Sequence, residues 1–328
     1  MKRFIVKSVL FVTLAAAVFG GWSALMLRTE VGSYRRTCRP PAETRIVICG
    51  DSQCDQDLLP QLWPGCYNFS TQGLQLDQVE LKVVDVLRYA DPPPKAIVLD
   101  LTPFKLLDQS IDVPLKDTAA VGGHFLLHAL HPDRTRRSLD GLPVLFRDHI
   151  LVKRTSRMFK SLRKGIPYEC SVPCPGGVAG LTEAQVEENR RRLLAAPAVC
   201  GFTQYPDWIA MSLKKGADNL AAFPPLTADS PSLACWRDIV ADIRAKGVEP
   251  VVITTPYSRQ ALDALRPGLK ESFRREAGKL AEELGVKYFD YLEMPFETGE
   301  WRDVNHLNVH GAVRFTETVR RDIEGYLR

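Results

Sequence analysis

Short apolar runs, rich in β-branched residues, recur along this chain and alternate with longer segments of helical periodicity. Runs of this kind are typical of strands that are buried on both faces of a parallel sheet. They are RIVIC at 45–49, CYNF at 66–69, AIVLDL at 96–101, EPVVIT at 249–254 and VKYFDY at 286–291. Five such runs constrain the fold more than any other feature of the sequence.

Helical spacing of apolar residues occurs between and after these runs. The predicted helices are Leu76–Tyr89, Ser232–Lys246, Leu269–Leu284 and a last one from His310 or Gly311 to about Leu327. Strands that alternate with helices form parallel sheets through right-handed crossovers. We therefore expect an α/β domain over residues 45–328, built on a doubly wound, five-stranded parallel sheet.

A long region between the third and fourth predicted strands, about residues 104–233, breaks this alternation. It contains one clear helix over Thr182–Ala195, where Thr182 is the expected N-cap and Gln185 completes a capping box. We interpret the region as a mostly helical insertion that forms a lid on the carboxyl edge of the sheet.

The N-terminus carries an uncharged, mostly apolar stretch from Ser8 to Leu27, preceded by three basic residues. At about 1.5 Å per residue, this stretch is long enough to cross the apolar core of a bilayer, about 30 Å. A cleaved signal peptide is the alternative, but its apolar region is usually shorter. We expect a single-pass anchor at 1–30, a stalk at 31–44 and an extracytoplasmic domain on the periplasmic side.

The formal net charge of +4 is too small to indicate a nucleic-acid partner, and export excludes one. The charge is unevenly distributed, however, because Arg134 to Lys164 holds ten lysines and arginines against two acidic residues. This block is either a solvated helix face or a surface attracted to anionic lipid headgroups or an acidic envelope glycan.

The chain has eight cysteines, an even number, and an exported domain permits disulfides. Cys170 and Cys174 are close enough in sequence for a local bridge, while the other pairings stay open. Structural zinc is the alternative for this pair, but no second pair of ligands has the spacing of a zinc finger.

Two loops at the predicted carboxyl edge carry groups for nucleophilic catalysis. Gly50-Asp51-Ser52-Gln53 follows the first strand, and Asp303-Val304-Asn305-His306 follows the last. In doubly wound sheets this edge holds the ligand site. Ser52 is the candidate nucleophile, His306 its base and Asp303 the acid that orients the base. The alternative is that Asp51 and Ser52 only cap a helix and that the second loop is a solvated turn.

Two sets of histidines offer metal binding as a further alternative. His306 and His310 have the i, i+4 spacing of a zinc protease pair, but Leu307 stands where that motif has its glutamate. His124, His128 and His131 lie together in GGHFLLHALH, and the first two have the same spacing, but an amphipathic helix of the insertion explains this pattern better. We expect no metal site and no organic cofactor.

The two loops resemble the blocks of the SGNH (GDSL-like) hydrolase superfamily: GDSQ at 50–53 is similar to its nucleophile block and DVNHLNVHGA at 303–312 to its terminal block. The resemblance implies the flavodoxin-like SGNH hydrolase fold. It also implies that Gly73, in STQG, donates a second N–H to an oxyanion. The chain departs from the family after the third strand, where LDLTPF lacks the usual asparagine. Thr102 is a substitute donor, and Asp51 is a further candidate for oxyanion or substrate binding.

The N-terminal anchor and the large insertion make the layout similar to the branch of lipoteichoic acid D-alanylation and alginate O-acetylation proteins. That likeness implies a membrane location and a multipass membrane-bound O-acyltransferase as a partner. The predicted function is acyl-ester chemistry through an acyl-serine, with transfer of an acetyl-like group from an acyl donor to a cell-envelope glycan. Hydrolysis of such an ester, or a non-catalytic scaffold that binds glycan or a partner, are the alternatives.

Overall fold

The structure is a computed structural model. It describes residues 3–15, 17, 18, 20, 21, 39–106, 180–219, 227, 229–265 and 267–328. These residues belong to two compact units, which are described separately. The first unit is represented by a helical segment within residues 3–21, whose apolar side chains are exposed. All other described residues belong to the second unit.

The predicted anchor, Ser8 to Leu27, is described only up to residue 21, without residues 16 and 19. Within the part of the chain that the structure describes, no helix combines the length and the hydrophobicity that crossing a membrane requires.

The second unit is built on a five-stranded, all-parallel sheet, as the apolar runs predict. Its strands are β1 (Ile46–Cys49), β2 (Cys66–Asn68), β3 (Ala96–Asp100), β4 (Glu249–Thr254) and β5 (Lys287–Asp290). The strand order is β2-β1-β3-β4-β5, the order of flavodoxin-like sheets. Each predicted strand is present, with its ends within one residue of the expected bounds.

Helices connect the strands and cover both faces of the sheet. They are α1 (Ser52–Asp57), α2 (Leu76–Tyr89), α3 (Glu183–Ala195), α4 (Gly201–Gln204), α5 (Pro206–Asn219), α6 (Pro231–Ala245), α7 (Arg259–Asp263), α8 (Leu269–Leu284) and α9 (Val309–Tyr326). Short 3-10 turns occur at Pro60–Leu62, Pro103–Leu106 and Thr298–Glu300. The four helices predicted around the strands are therefore confirmed, with ends within one or two residues.

One face of the sheet packs against α9. The buried residues that join them are Ile46, Ile48, Val98, Val251 and Ile253 of the strands and Phe315, Val319 and Ile323 of the helix. The other face is covered by α2, α6 and α8, and α6 contacts both of the other two helices. Because both faces are covered, the central strands are buried along their whole length, which explains their continuous apolar runs.

The described part of the predicted insertion packs beside α9. Helix α3 begins at the expected capping box, in which the Thr182 and Gln185 side chains accept hydrogen bonds from each other's backbone N–H groups. Val186 packs with Leu62 and Val313, and Arg190 pairs with Glu317 at 2.7 Å. Helices α4 and α5 are additional, because the prediction named one clear helix in the C-terminal part of this region, over Thr182–Ala195.

Replacement of Ile48 by alanine tests the contribution of the central strand. This side chain is fully buried, so its loss is expected to lower the free energy of unfolding by about 2–5 kcal/mol, measured by urea denaturation. Leu194→Ala is the control, because that leucine is 38% exposed and its loss is expected to cost no more than about 0.5 kcal/mol. Equal losses in the two variants would contradict the burial of β1.

Candidate active site

The turn between β1 and α1 places Ser52 at the first position of a helix on the carboxyl edge of the sheet. Asp51 caps this helix, because its Oδ1 atom accepts the N–H of Gln53 at 2.9 Å. Gly50 has no room for a side chain: a Cβ atom there would lie 2.9 Å from the Asp100 carboxyl group and 2.8 Å from the Cβ of Cys54. A glycine is therefore required where the chain turns toward Ser52.

The loop between β5 and α9 brings His306 and Asp303 to the serine. The Ser52 Oγ atom lies 2.9 Å from His306 Nε2, and His306 Nδ1 lies 2.8 and 3.0 Å from the two carboxylate oxygens of Asp303. An Nδ1–H that donates to the carboxylate leaves Nε2 as the acceptor for the serine hydroxyl. The three predicted residues thus form a continuous hydrogen-bonded chain.

Asp303 is buried, and its carboxylate accepts several hydrogen bonds. Its Oδ1 atom accepts the backbone N–H groups of Asn305 at 3.1 Å and His306 at 2.9 Å. Burial alone would raise the pKa of this carboxyl group, but the hydrogen bond and charge of His306, the Asn305 N–H and the Arg302 side chain together lower it. Asp303 is therefore suited, in its ionised carboxylate form, to hold the imidazole of His306 in place.

Two residues of α1 that the sequence did not single out tie the helix to the histidine loop. The Gln53 side-chain amide donates to the carbonyl oxygens of Asn305 at 2.9 Å and Pro256 at 3.3 Å. At the other end of the helix, Asp57 Oδ1 accepts the N–H of Leu307 at 2.9 Å, and burial raises the pKa of Asp57 well above its ordinary value. Gln53, the residue after Ser52, and Leu307, the residue after His306, are therefore both anchored to the opposite element.

A cluster of one buried lysine and two carboxylates supports the turn between β1 and α1, which leads to Ser52. Lys105 forms ion pairs with Asp100 and, at 3.3 Å, with Asp51, and the backbone N–H of Asp51 donates to Asp100 at 3.1 Å. Burial and the neighbouring Asp51 charge raise the pKa of Asp100 to about 7. For Asp51, burial acts in the same direction, but Lys105 and the other hydrogen bonds bring the pKa below its ordinary value. Lys105 lies in the segment after β3, where the sequence departs from the SGNH pattern, and the sequence alone did not suggest it.

The predicted oxyanion and substrate-binding residues lie in the loops that follow β1, β2 and β3. Gly73 lies in the loop after β2 with a φ of 73°, a left-handed conformation that favours glycine. This loop is held near α1, because the N–H of Thr71 donates to Gly50 O at 3.1 Å. Thr102 is buried two residues beyond β3, and its Oγ1 has no hydrogen-bond partner among the described residues. The Asp51 carboxylate is engaged in the helix cap and with Lys105, so the capping interpretation holds for this residue.

The ring nitrogens of His306 and His310, the pair with i, i+4 spacing, have separate partners and do not meet at one metal position. Both ring nitrogens of His306 are engaged within the site, whereas His310 Nε2 contacts the carbonyl oxygen of Ala196 at 3.1 Å. Over the described ranges, no group of three or more metal-ligating side chains occurs.

Several predictions concern residues outside the described ranges. They are the Cys170–Cys174 bridge, the histidines at 124, 128 and 131, and the basic block from Arg134 to Lys164. The described cysteines, at positions 49, 54, 66, 200 and 235, are free thiols.

Neither protein-family models nor curated proteins give a match to this sequence. The case for a function therefore depends on the geometry of Ser52, His306, Asp303 and their supports.

Lys105→Met tests the buried cluster. It leaves the buried Asp100 carboxylate and the partly buried Asp51 carboxylate without their cation, so we expect the free energy of unfolding to fall by about 3–5 kcal/mol at about pH 8. Without Lys105 the pKa of Asp100 rises further and the pKa of Asp51 is no longer lowered by that cation, so acid protonates these groups more readily and the deficit shrinks at about pH 5.5. Urea denaturation of the variant and the wild type at both pH values measures this difference in the free energy of unfolding.

Arg237→Met is the control for that experiment. Arg237 is 46% exposed and its partner Glu283 is 41% exposed, so the loss of this surface pair is expected to cost about 1 kcal/mol or less at both pH values. A deficit in Lys105→Met that is equally small, or that grows as the pH falls, would contradict the assigned role of the cluster.

Proposed function

We propose that this chain is a membrane-anchored, extracytoplasmic serine acyl-ester enzyme of the SGNH hydrolase fold. Ser52 is the nucleophile, His306 the general base and Asp303 the residue that orients the base. The observation that carries the proposal is the 2.9 Å contact between Ser52 Oγ and His306 Nε2, with the other imidazole nitrogen held by a buried carboxylate. A nucleophile, a base and an orienting acid in this order are the groups that acyl transfer requires.

The fold and the neighbouring backbone support the same chemistry. Within a flavodoxin-like strand order, the serine follows β1 and the aspartate and histidine follow β5, which is the arrangement that the resemblance to SGNH hydrolases implies. The first N–H groups of a helix lack partners within the helix, and the Asp51 cap occupies the N–H of Gln53. The N–H of Ser52 is then the nearest donor for an oxyanion, with the Gly73 N–H and the Thr102 hydroxyl as further candidates.

The proposed reaction has two halves. In the first, Ser52 Oγ attacks the carbonyl carbon of an acyl donor while its proton passes to His306 Nε2, and the leaving group departs with that proton. In the second, a hydroxyl group of an acceptor gives its proton to His306 and attacks the acyl-serine, which returns the proton to Ser52. A metal or an organic cofactor takes no part in either half.

The acceptor decides between transfer and hydrolysis, because water in the second half gives hydrolysis. We favour transfer of an acetyl-like group to a cell-envelope glycan, beside a multipass membrane-bound O-acyltransferase. The supports are the predicted N-terminal anchor, the large insertion and the similarity of layout to the O-acetylation and D-alanylation branch. An SGNH-shaped scaffold without catalysis is the competing proposal, and the lack of the family's asparagine after β3 is the feature that favours it.

A fluorophosphonate probe distinguishes the enzyme from the scaffold, because it reacts only with an activated serine. We expect stoichiometric labelling of the wild type, no labelling of Ser52→Ala, and labelling of Asp303→Asn slowed by about 10⁴-fold, because an asparagine favours the tautomer whose Nε2 carries the proton and cannot accept from Ser52. Ser272→Ala is the control, since this serine lies on α8 and contacts Arg275. An unlabelled wild type, or equal labelling of Ser52→Ala, would support the scaffold.

A further inference from the structure

A cavity of about 500 Å³ lies at the carboxyl edge of the sheet, between the loop after β4 and the loop after β5. Tyr257 and Leu262 contribute to one wall, and Phe296 and Trp301 to the other. Its volume is in the range of sites that hold small organic ligands, about 300–1,000 Å³. No step proposed above assigns it a ligand.

The two walls of the cavity are continuous with the loops that hold the catalytic base. The N–H of Ser258, next to Tyr257, donates to Val304 O at 3.2 Å, within the Asp303–His306 loop. Trp301 pairs with Leu307, the residue after His306, through an isolated β-bridge. Gln53, beside Ser52, donates to the carbonyl oxygen of Pro256, the residue before Tyr257. The cavity therefore lies on the histidine side of the site.

A ligand on the histidine side matches the needs of the second half of the reaction. The acceptor hydroxyl must give its proton to His306 Nε2 as it attacks the acyl-serine, so the acceptor has to approach from the side of the imidazole. A cavity built from the flanks of the histidine loop is placed to hold the rest of the acceptor molecule while one hydroxyl reaches the base.

The charges that line the cavity balance one another. Arg259 lies 3.7 Å from Asp263, and Lys270 lies 2.7 Å from Glu293. Glu293 also pairs with Arg274, whose second partner, at 2.7 Å, is Asp290. An anionic ligand would thus meet cations that already have carboxylate partners. An uncharged ligand with many hydroxyl groups would find donors, acceptors and aromatic surface together.

We infer that this cavity binds the acyl acceptor and that the acceptor is an uncharged, polyhydroxylated molecule such as a neutral sugar unit. This inference deepens the proposed function and rests on it. The bond that forms joins the acyl carbon to an acceptor oxygen, the bond to Ser52 Oγ breaks, and the acceptor proton returns to Ser52 through His306.

Acetyl transfer from p-nitrophenyl acetate to two matched acceptors tests the inference in the full-length protein. The acceptors are methyl β-glucoside and methyl β-glucuronoside, which share the ring and its secondary hydroxyls and differ at C6, where the glucuronoside has a carboxylate in place of the hydroxymethyl group. The wild type is expected to acetylate the glucoside with the higher kcat/KM. Glu293→Gln removes a partner from Lys270 and Arg274, so it is expected to shift this preference toward the glucuronoside by about two- to fivefold. Glu283→Gln is the matched control, because Glu283 is similarly exposed but pairs with Arg237 on α6, and no shift is expected.

A second variant, Leu262→Trp, fills the cavity and is expected to lower transfer to the glucoside by about tenfold or more relative to the initial burst of p-nitrophenol. The burst itself reports whether the acyl-serine forms, so its absence would count against the proposed function and not against the cavity.

Calorimetric titration of the glucoside into Ser52→Ala, with and without Leu262→Trp, then measures binding to the cavity independently of turnover. Equal binding to the two proteins, or a wild type that prefers the glucuronoside, would overturn the inference.

Discussion

The buried ion cluster of Lys105, Asp100 and Asp51 is the constraint on which the geometry of the site depends. It joins the segment after β3 to the turn after β1 at a point where Gly50 leaves no space for a side chain. A lysine that is only 2% exposed is stable there because two carboxylates surround it. Since Asp51 also caps α1, the same cluster sets the direction of the helix from which Ser52 projects.

The histidine loop is held from several directions, which explains how residues 254 positions apart meet at hydrogen-bond distance. Gln53 and Asp57 bind it from α1, and the Asn308 cap joins it to α9. The predicted insertion also contributes: the N–H of Gly201 donates to Trp301 O, and a Cβ at position 201 would lie 2.0 Å from the carbonyl oxygen of Arg302. Elements from three parts of the sequence thus keep Asp303 and His306 in place.

Much of the fold could be predicted because its signals are local. The central strands are covered on both faces, so their sequences are continuous apolar runs, and the helices between them keep a clear apolar stripe. Ser52, Asp303 and His306 could be found because parallel strands bring their following loops to one edge.

The residues that hold these side chains in place could not be found in this way. Lys105 and Asp57 have side chains that are usually solvated, and only tertiary contacts show that both are buried. The cavity is likewise formed by two loops that carry no common motif.

The central claim is that Ser52 forms a covalent acyl intermediate. The most direct test is rapid mixing of the full-length protein with p-nitrophenyl acetate, acid quenching, and mass analysis of the intact protein and its peptides. The account predicts that the wild type gains the mass of one acetyl group on the peptide containing Ser52, and that Ser52→Ala gains none. Release of p-nitrophenol without acetylation of Ser52, or equal acetylation of both proteins, would contradict it.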